Sequence, residues 1–345
     1  MLGDAAPYDS FLLVSFGGPE GPEDVMPFLE NVLRGKNVPR QRLLEVAEHY
    51  RHFGGISPIN EQNRNLLAAI KDEFSAHALD LPVYWGNRNW HPLFADTLRQ
   101  MRNDGCRHTL AFFTSMFSSY SGCRQYRENL IAAREEVGPD SPHVDKLRMG
   151  FNHPGFIEPM VENVLIALRS IEGDASTPVL FTAHSIPNSM ADFCSYEKQL
   201  REACRLVAET AGIANWQLVY QSRIGPPQQP WLEPDVSDAI EALDDRERLD
   251  KIVIVPIGFV SDHMEVLFDL DEEAAQLCQQ RGIQMARAQT VGTHPRFVSM
   301  IRELVQERLG LTAERPALGT LGPWHDVCPA DCCLYMPTRP LAASP

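Results

Sequence analysis

The sequence predicts an α/β protein with two similar doubly wound domains, parallel sheets and a cleft between the domains. Apolar β-rich runs alternate with helical patterns along the chain, which is typical of parallel sheets covered by helices. The strand candidates fall into two groups on either side of about residue 150, and a length of 345 residues suits two domains better than one. We therefore expect domains over 1–150 and 151–311, followed by a tail over 312–345.

Each strand candidate is a short apolar run bounded by turn residues or by polar helical patterns. In the first half these runs cover residues 11–16, 83–85 and 109–114. In the second half they cover residues 178–182, 217–220, 251–257 and 286–291. The helical patterns between them include residues 41–52, 60–78, 92–101, 124–136, 154–171, 196–211 and 263–280. We expect a last helix, over about 295–309, to pack back on a domain, with the Pro-, Gly- and Cys-rich tail forming a loop-like extension.

The composition argues against several classes of protein. No stretch approaches the ~18 apolar residues that a membrane span needs, and residues 1–7 lack the basic and apolar parts of a signal peptide. We therefore expect a cytoplasmic protein. The net charge of −15 argues against a nucleic-acid partner. Eight cysteines in a chain without an export signal do not predict a disulfide framework.

Two polar segments follow apolar runs that are typical of buried parallel strands. They are Thr-Ala-His-Ser-Ile-Pro, with His184, and Gly-Phe-Val-Ser-Asp-His-Met-Glu, with Glu265. Ligands of open α/β sheets bind at the carboxyl ends of strands, so these side chains are candidates for chemistry. An imidazole facing a carboxylate can hold a divalent metal, move protons, or do both. A core histidine is the structural alternative for His184, but Pro187 must break the strand just after it, which favours a cleft position.

A row of carboxylates begins at Glu265 and continues with Asp269 and Glu273, at positions i, i+4 and i+8 of one helical face. A solvated acidic face is one interpretation of this row. The other is a line of hard oxygen ligands that passes a divalent cation or protons along the helix. The apolar residues 266–268 indicate a half-buried helix, which favours the second interpretation, because buried carboxylates need compensating cations or protons.

Two glycine-rich loops are further candidates for ligand contact. Residues 15–19, Ser-Phe-Gly-Gly-Pro, follow the first strand, where glycines allow a tight turn and a close approach to a ligand. Residues 53–60 open a helix, with Ser57 or Asn60 as the expected N-cap, and the exposed N–H groups of such a loop could hold an anionic group. Ordinary turn and capping roles would also explain both loops.

Three cysteines crowd together in the tail as Cys328, Cys332 and Cys333. Their spacing is not that of a zinc ribbon, and they need a fourth ligand to hold a tetrahedral zinc or an iron–sulfur cluster. Cys123, in a loop of small residues just past a strand, is the best fourth candidate. Incidental thiols remain the alternative.

Several motifs, taken together, resemble those of the ferrochelatase family. The resemblance runs from about Phe11 to Leu309. The motifs are Leu-Leu-Val-Ser-Phe-Gly-Gly-Pro (12–19), Phe-Gly-Gly-Ile-Ser-Pro (53–58), His-Ser-Ile-Pro (184–187), Gln-Ser-Arg-Ile-Gly-Pro (221–226) with Trp-Leu (231–232), and Gly-Phe-Val-Ser-Asp-His-Met-Glu-Val-Leu (258–267).

The resemblance implies two Rossmann-like domains and an enzyme that inserts Fe²⁺ into a porphyrin without ATP. His184 and Glu265 would face each other across the porphyrin centre, where His184 would accept pyrrole protons or ligate the incoming iron. Glu265, Asp269 and Glu273 would form the path of the metal or of the protons, on a helix that has a π-type widening in relatives. Ser57 matches a position that contacts the porphyrin propionates.

The resemblance also carries Tyr126 to a propionate-contacting position, and it contains one departure. Many relatives place a tyrosine after the first strand as an axial ligand to the product iron, whereas this chain has Phe16, whose phenyl ring cannot ligate. Tyr50 is the nearby alternative. The tail cysteines resemble those of the actinobacterial branch, whose members carry a [2Fe–2S] cluster. On that resemblance we assign the cluster to Cys123, Cys328, Cys332 and Cys333.

The actinobacterial branch is associated with coproporphyrin-dependent haem b synthesis, so the expected reaction is Fe²⁺ insertion into coproporphyrin III to give Fe-coproporphyrin III (coproheme). Three alternatives remain at this point: the same chemistry on protoporphyrin IX, a chelatase for another tetrapyrrole, and a non-catalytic haem- or porphyrin-binding redox sensor. We expect a monomer, and transient contacts with neighbouring haem-pathway enzymes stay open.

Overall fold

The computed structural model describes residues 8–34, 39–224 and 228–335. The segments 1–7 and 336–345, and the Gly225–Pro226 part of one motif, lie outside the described residues. Among the described residues, no helix has both the length and the apolar character that crossing a membrane requires.

The chain forms two four-stranded sheets, and all the strand pairs within each sheet are parallel. The first sheet has the order β2–β1–β3–β4 and the second the order β6–β5–β7–β8. The inner strands are mostly apolar and almost entirely buried because helices cover both sheet faces. The strands are β1 (Ser10–Ser15), β2 (Val83–Asn87), β3 (His108–Phe113), β4 (His143–Lys146), β5 (Val179–His184), β6 (Trp216–Gln221), β7 (Lys251–Val255) and β8 (Gln284–Arg287).

The helices are α1 (Val25–Val32), α2 (Arg40–His52), α3 (Ile59–Ala76), α4 (Phe94–Asn103), α5 (Gln125–Val137), α6 (Pro154–Ser170), α7 (Asn188–Ala191), α8 (Tyr196–Ala211), α9 (Val236–Glu247), α10 (Met264–Val266), α11 (Ala275–Arg281) and α12 (Pro295–Arg308). Two π-helical segments interrupt this series, Tyr120–Arg124 before α5 and Leu267–Ala274 between α10 and α11. The prediction of two α/β domains with parallel sheets is confirmed.

Several elements differ from the prediction for identifiable reasons. β4 was not predicted because three of its four residues are polar, as an edge strand allows. α1 and α9 were also not predicted, although Val236, Ile240 and Leu243 of α9 have helical spacing and are buried. β8 lies earlier than the predicted 286–291, because the apolar residues after Arg287 leave the sheet and bury themselves in a loop.

Helix α12 packs against α3 of the first half and against α6 of the second half. Its buried Phe297 contacts the rings of Phe112 and Phe156, with centroids 6.0 Å and 6.5 Å apart. Arg302 donates to Glu73 of α3 at 2.8 Å. The last helix therefore contacts both halves of the molecule, and not one domain as expected.

The described part of the tail is tied down by polar contacts. Asn152, between the two halves, donates to the carbonyls of Leu318 and Gly322 at 3.1 Å and 2.9 Å. Further along, Arg124 donates to the carbonyls of Ala330 and Cys332 at 2.9 Å and 2.8 Å. The tail thus crosses from α12 to the π-helical segment before α5.

Strands β5, β6 and β7 end at the same edge of the second sheet. His184 is the last residue of β5 and pairs in register with Gln221, the last residue of β6. Beyond β7, Gly258 donates its N–H to the Thr182 carbonyl at 3.0 Å. A Cβ at Gly258 would lie 2.7 Å from Ala183, so only glycine lets this loop approach so closely.

Candidate active site

The His184 imidazole has a defined orientation at the end of β5. Its Nδ1 lies 2.5 Å from the Ser185 carbonyl, which can only accept, so Nδ1 carries the hydrogen. In the neutral ring, Nε2 then presents a lone pair. This atom lies 3.6 Å from Oε2 of Glu265, and the two side chains are 30% and 45% exposed. The structure brings the two predicted residues together and leaves both accessible.

Glu265 lies in the first turn of α10, where the helix dipole favours a negative charge. His263 caps this helix, because its Nδ1 accepts from the N–H groups of Glu265 and Val266 at 3.2 Å and 3.4 Å. Burial lowers the pKa of His263, the Glu265 charge opposes that shift and His184 adds to it. His263 is therefore a neutral positioning residue, which sequence reasoning quoted within a motif without assigning it a role.

The carboxylate row lies on the π-helical segment Leu267–Ala274, in agreement with the expected widening. In a regular α-helix, residues four apart are offset by about 40° around the axis, and the wider π turn counteracts this drift. Glu265 and Asp269 are partly buried, whereas Glu273 is exposed. A solvated acidic face therefore describes Glu273 only, and the row runs from His184 to the protein surface.

The amide of Gln221 connects the helix backbone at Glu265 to the carboxylate of Asp269. Its Nε2 donates to the Glu265 carbonyl at 3.3 Å and to Oδ2 of Asp269 at 3.1 Å. Ser222, whose φ is positive, donates its hydroxyl to the same Asp269 oxygen. The end of β6 therefore holds Asp269 in place.

Burial raises the pKa of Asp269 to about 7, and the negative charges of Glu265 and Glu273 add to the shift. The hydrogen bonds from Ser222 and Gln221 oppose it. The pKa of Glu273 is also raised, by desolvation and then by the charges of Asp235 and Glu272. A carboxyl with a pKa near neutrality can bind and release a proton at cellular pH.

Helix α2 of the first half faces this row from across the cleft. The His49 ring stacks on Phe268 with centroids 3.9 Å apart, and Nε2 of His52 lies 2.6 Å from Oε1 of Glu272. Tyr50, on the same helix, contacts the Phe28 ring at 5.8 Å. Burial raises the pKa of Tyr50, and the Glu265 charge adds to the shift.

The loop around Ser57 differs from the expectation in one respect. Helix α3 has Pro58 as its N-cap without a side-chain hydrogen bond, so the expected cap by Ser57 or Asn60 is wrong. Asn60 instead donates to the Gly18 carbonyl at 3.0 Å. Ser57 is buried, and its N–H donates to the Pro19 carbonyl at 2.9 Å. The two glycine-rich loops, residues 15–19 and 53–60, are therefore joined by hydrogen bonds and form one wall of the cleft.

Arg88, just past β2, is a cleft residue that sequence reasoning missed. Its guanidinium lies 5.5 Å from the Tyr126 ring centroid and 6.0 Å from that of Phe16, and its Nε donates to Asn129 at 2.8 Å. Burial lowers the pKa of Arg88. Burial also raises the pKa of Tyr126 to about 12. In the described part of the chain, no carboxylate forms an ion pair with this guanidinium.

The four predicted cysteines lie together where the tail meets the π-helical segment before α5. Interaction with Cys328 and burial raise the pKa of the Cys123 thiol, and Sγ of Cys332 lies 3.4 Å from Sγ of Cys333. His325, Cys328 and Cys332 present ligand atoms that all lie within 4.8 Å of one another. Thiolates are the usual ligands of iron–sulfur clusters, so Cys328 and Cys332 with the neighbouring Cys123 and Cys333 suit such a group, and His325 is an additional donor that was not predicted.

The family model of ferrochelatase matches residues 8–309. The chain belongs to the ferrochelatase family. It is 71% identical over 343 residues to the ferrochelatase of Rhodopirellula baltica, with 99% of this chain and 98% of that protein covered. It is 51% identical over 366 residues to the coproporphyrin III ferrochelatase of Streptomyces griseus, with 99% and 97% covered. The protein is therefore an iron-inserting chelatase, as the motifs predicted.

The fold has relatives beyond this family. The structure of SirB from Bacillus subtilis with Fe³⁺ superposes with a TM-score of 0.55 over 88% of this chain and 98% of that chain. The sequence identity is 13%, so the similarity concerns the fold alone.

Replacing Asp269 by Asn should stabilise the metal-free protein in a pH-dependent way. The folded pKa of about 7 exceeds the ordinary aspartate pKa of 3.8, so between these values the native state binds more protons than the unfolded state. The wild type should therefore lose a few kcal/mol relative to Asp269→Asn between about pH 4 and 7, with no further loss above. Urea unfolding in a chelator checks this. A pH-independent difference would contradict the buried-carboxyl account.

Proposed function

We propose that this protein inserts Fe²⁺ into coproporphyrin III to give Fe-coproporphyrin III, with His184 and Glu265 at the reacting centre. The observation that carries the proposal is the 3.6 Å approach of the His184 Nε2 to the Glu265 carboxylate. These two accessible side chains lie at a strand-end edge that α2 faces from the other half. Relatives named coproporphyrin III ferrochelatase, about half identical over nearly the full chain, support the choice of porphyrin.

The protons of the reaction leave by way of His184. A porphyrin must lose its pyrrole N–H protons before a metal can occupy the ring centre. The Nε2 lone pair of the neutral imidazole is suited to accept them. Glu265 stabilises the imidazolium that forms, and Asp269, with its pKa of about 7, passes the proton on. Glu273, at the exposed end of the row, releases it to solvent.

Ferrous iron, the second substrate, uses the same polar row. The carboxylates of Glu273, Asp269 and Glu265 offer oxygen ligands, and His184 offers nitrogen, all of which suit Fe²⁺ in transit. Each ligand must bind weakly enough to release the iron to the porphyrin. A row with Asp269, whose pKa is about 7, at its middle meets that requirement, because a proton on Asp269 competes with the metal.

Porphyrin propionates are proposed to bind the wall made by Ser57, Tyr126 and Arg88. The Arg88 guanidinium is largely desolvated and lacks a carboxylate partner among the described residues, and a propionate would compensate its charge. Coproporphyrin III carries propionate groups where protoporphyrin IX carries vinyl groups, so a cationic wall favours the former. Tyr50 is the proposed phenol contact on the other side, since Phe16 cannot ligate iron.

We also propose that Cys123, Cys328, Cys332 and Cys333 hold a [2Fe–2S] cluster. Such a cluster supplies one-electron redox chemistry when bound, and the insertion of Fe²⁺ needs no electron transfer. The proposed role of the cluster is to stabilise the tail. It would join the tail to the segment around Cys123, where Arg124 also binds the tail carbonyls of Ala330 and Cys332. The protein is proposed to work as a cytoplasmic monomer.

The choice of porphyrin is tested by steady-state rates with each substrate. Anaerobic assays with Fe²⁺ should give a higher kcat/KM for coproporphyrin III than for protoporphyrin IX. Arg88→Gln should reduce that preference by raising the KM for coproporphyrin III, while Arg64→Gln, an exposed arginine paired with Glu20, is the control. Equal or greater activity of the wild type on protoporphyrin IX would overturn the choice.

Replacing His184 by Ala should lower kcat about 10²- to 10⁴-fold, the usual contribution of a proton-transfer group, with porphyrin affinity nearly unchanged. Fluorescence titration of the porphyrin measures the affinity independently of turnover. His294→Ala, which removes a ring paired with Glu162, is the control and should keep full activity. Turnover that survives in His184→Ala while porphyrin binding is lost would favour a binding role instead.

Replacing Cys332 by Ser should bleach a protein that is red-brown as purified and should lower its thermal stability. The reason is the loss of one of four thiolate ligands. Cys278→Ser, at a buried cysteine of α11, is the matched control and should keep the colour. A colourless wild-type protein with stoichiometric zinc would refute the iron–sulfur assignment.

A further inference from the structure

A second group of metal-ligating side chains lies where β3 and β4 begin. His108 and His143 are the first residues of these strands and are direct partners in the parallel register. Asp145 lies two residues after His143 and therefore on the same face of β4. The sheet itself brings two imidazoles and one carboxylate to one surface.

The distances within this group suit a shared ligand. The Nε2 of His108 lies 3.1 Å from Oδ2 of Asp145, and the Nδ1 of His143 lies 3.6 Å from Oδ1 of the same carboxylate. All three donor atoms lie within 4.8 Å of one another. A tetrahedral metal with bonds of about 2.0–2.2 Å needs donor atoms roughly 3.4 Å apart, close to this arrangement.

The exposure of the group decreases from one ligand to the next. His143 is 55% exposed, Asp145 28% and His108 17%. An ion could therefore enter past His143 and keep water in its remaining positions, while two of its ligands stay held by the fold. This is the opposite end of β3 from the cleft, about 20 Å away for a strand of this length.

Two neighbouring side chains orient the carboxylate. The Tyr8 hydroxyl donates to Oδ2 of Asp145 at 2.7 Å, and its ring lies 4.2 Å from that of His108. Arg308 of α12 donates to the same oxygen at 3.3 Å. Hydrogen bonds of the Tyr8 kind are typical of metal-ligating carboxylates. Arg308 is a competing cation, which a bound metal would displace from Asp145.

We propose that His108, His143 and Asp145 form a binding site for a divalent transition metal such as Zn²⁺, separate from the iron-inserting cleft and from the cysteine group. Two imidazole nitrogens and one carboxylate oxygen favour first-row metals over Mg²⁺ or Ca²⁺. The bound ion would fasten the edge strand β4 to β3. An ion-pair network centred on Asp145, without a metal, is the alternative that the experiment must separate.

The test counts Zn²⁺ bound by the full-length protein after treatment with a chelator, using equilibrium dialysis and metal analysis. The wild type should bind one equivalent more than His143→Ala, and the difference should persist in a Glu265→Gln background, which lacks the cleft carboxylate next to His184. His77→Ala, a ring of similar exposure on α3's C-terminal side, is the control and should bind like the wild type. Equal binding by wild type and His143→Ala overturns the proposal.

Two further variants distinguish a metal site from a charge network. Tyr8→Phe should weaken Zn²⁺ about tenfold, as loss of an orienting hydrogen bond does. Arg308→Gln should strengthen Zn²⁺ binding, because it removes the cation that competes for Asp145. Zn²⁺ should also raise the Tm of the wild type and not that of His143→Ala. Unchanged or weaker binding by Arg308→Gln would overturn the arrangement in which the metal replaces the guanidinium.

Discussion

The close approach of two strand-end loops is the constraint on which the site depends. The loop after β7 lies on β5 with no space for a side chain at Gly258, and its N–H donates to Thr182, two residues before His184. That contact fixes the position of the segment after Gly258. His263 then caps a helix that has Glu265 in its first turn. A side chain at position 258 would separate the loops and with them the imidazole and the carboxylate.

Desolvation shifts the pKa values of Asp269 and His263 in opposite directions, upward for the carboxyl and downward for the imidazole. Gln221 and Ser222 donate to Asp269 and oppose the shift, yet burial still brings its pKa to about 7. His263 stays neutral because burial lowers its pKa and because Nδ1 accepts the capping hydrogen bond from the Glu265 N–H. The row therefore passes from an accessible histidine, through a carboxyl that titrates near neutrality, to an exposed carboxylate. A row that runs from a buried to an exposed position can pass protons outward to solvent, because the buried Asp269 carboxyl can accept and release a proton near neutral pH.

The sequence predicted the parts of this arrangement that follow from strand ends. His184 and Glu265 were found because apolar runs precede them, and the cysteines because they crowd together. The N-cap at Ser57 was wrong, since Asn60 bonds the Gly18 loop instead of its own helix. Sequence reasoning missed Arg88, His263 and His325. The contacts of Arg88 and His325 are with residues distant in sequence, and the helix cap formed by His263 depends on backbone geometry that the amino-acid sequence does not reveal. β4 was missed because an edge strand needs no apolar run, and with it the pairing of His108 with His143.

The tail and the cleft wall that contains Tyr126 meet at one continuous helical segment. Cys123 lies in the π-helical segment, and Tyr126 lies three residues later in the first turn of α5. The two side chains are therefore presented by neighbouring turns of one continuous helix. Arg124 between them holds two tail carbonyls and also donates to Glu128 at 2.8 Å. The tail is thereby anchored to the element that presents Tyr126, and Tyr335 extends the anchor through its contact with Tyr120 at 5.6 Å. An ordered tail consequently restrains the cleft wall that contains Tyr126. This effect does not require the tail to contact His184 or Glu265.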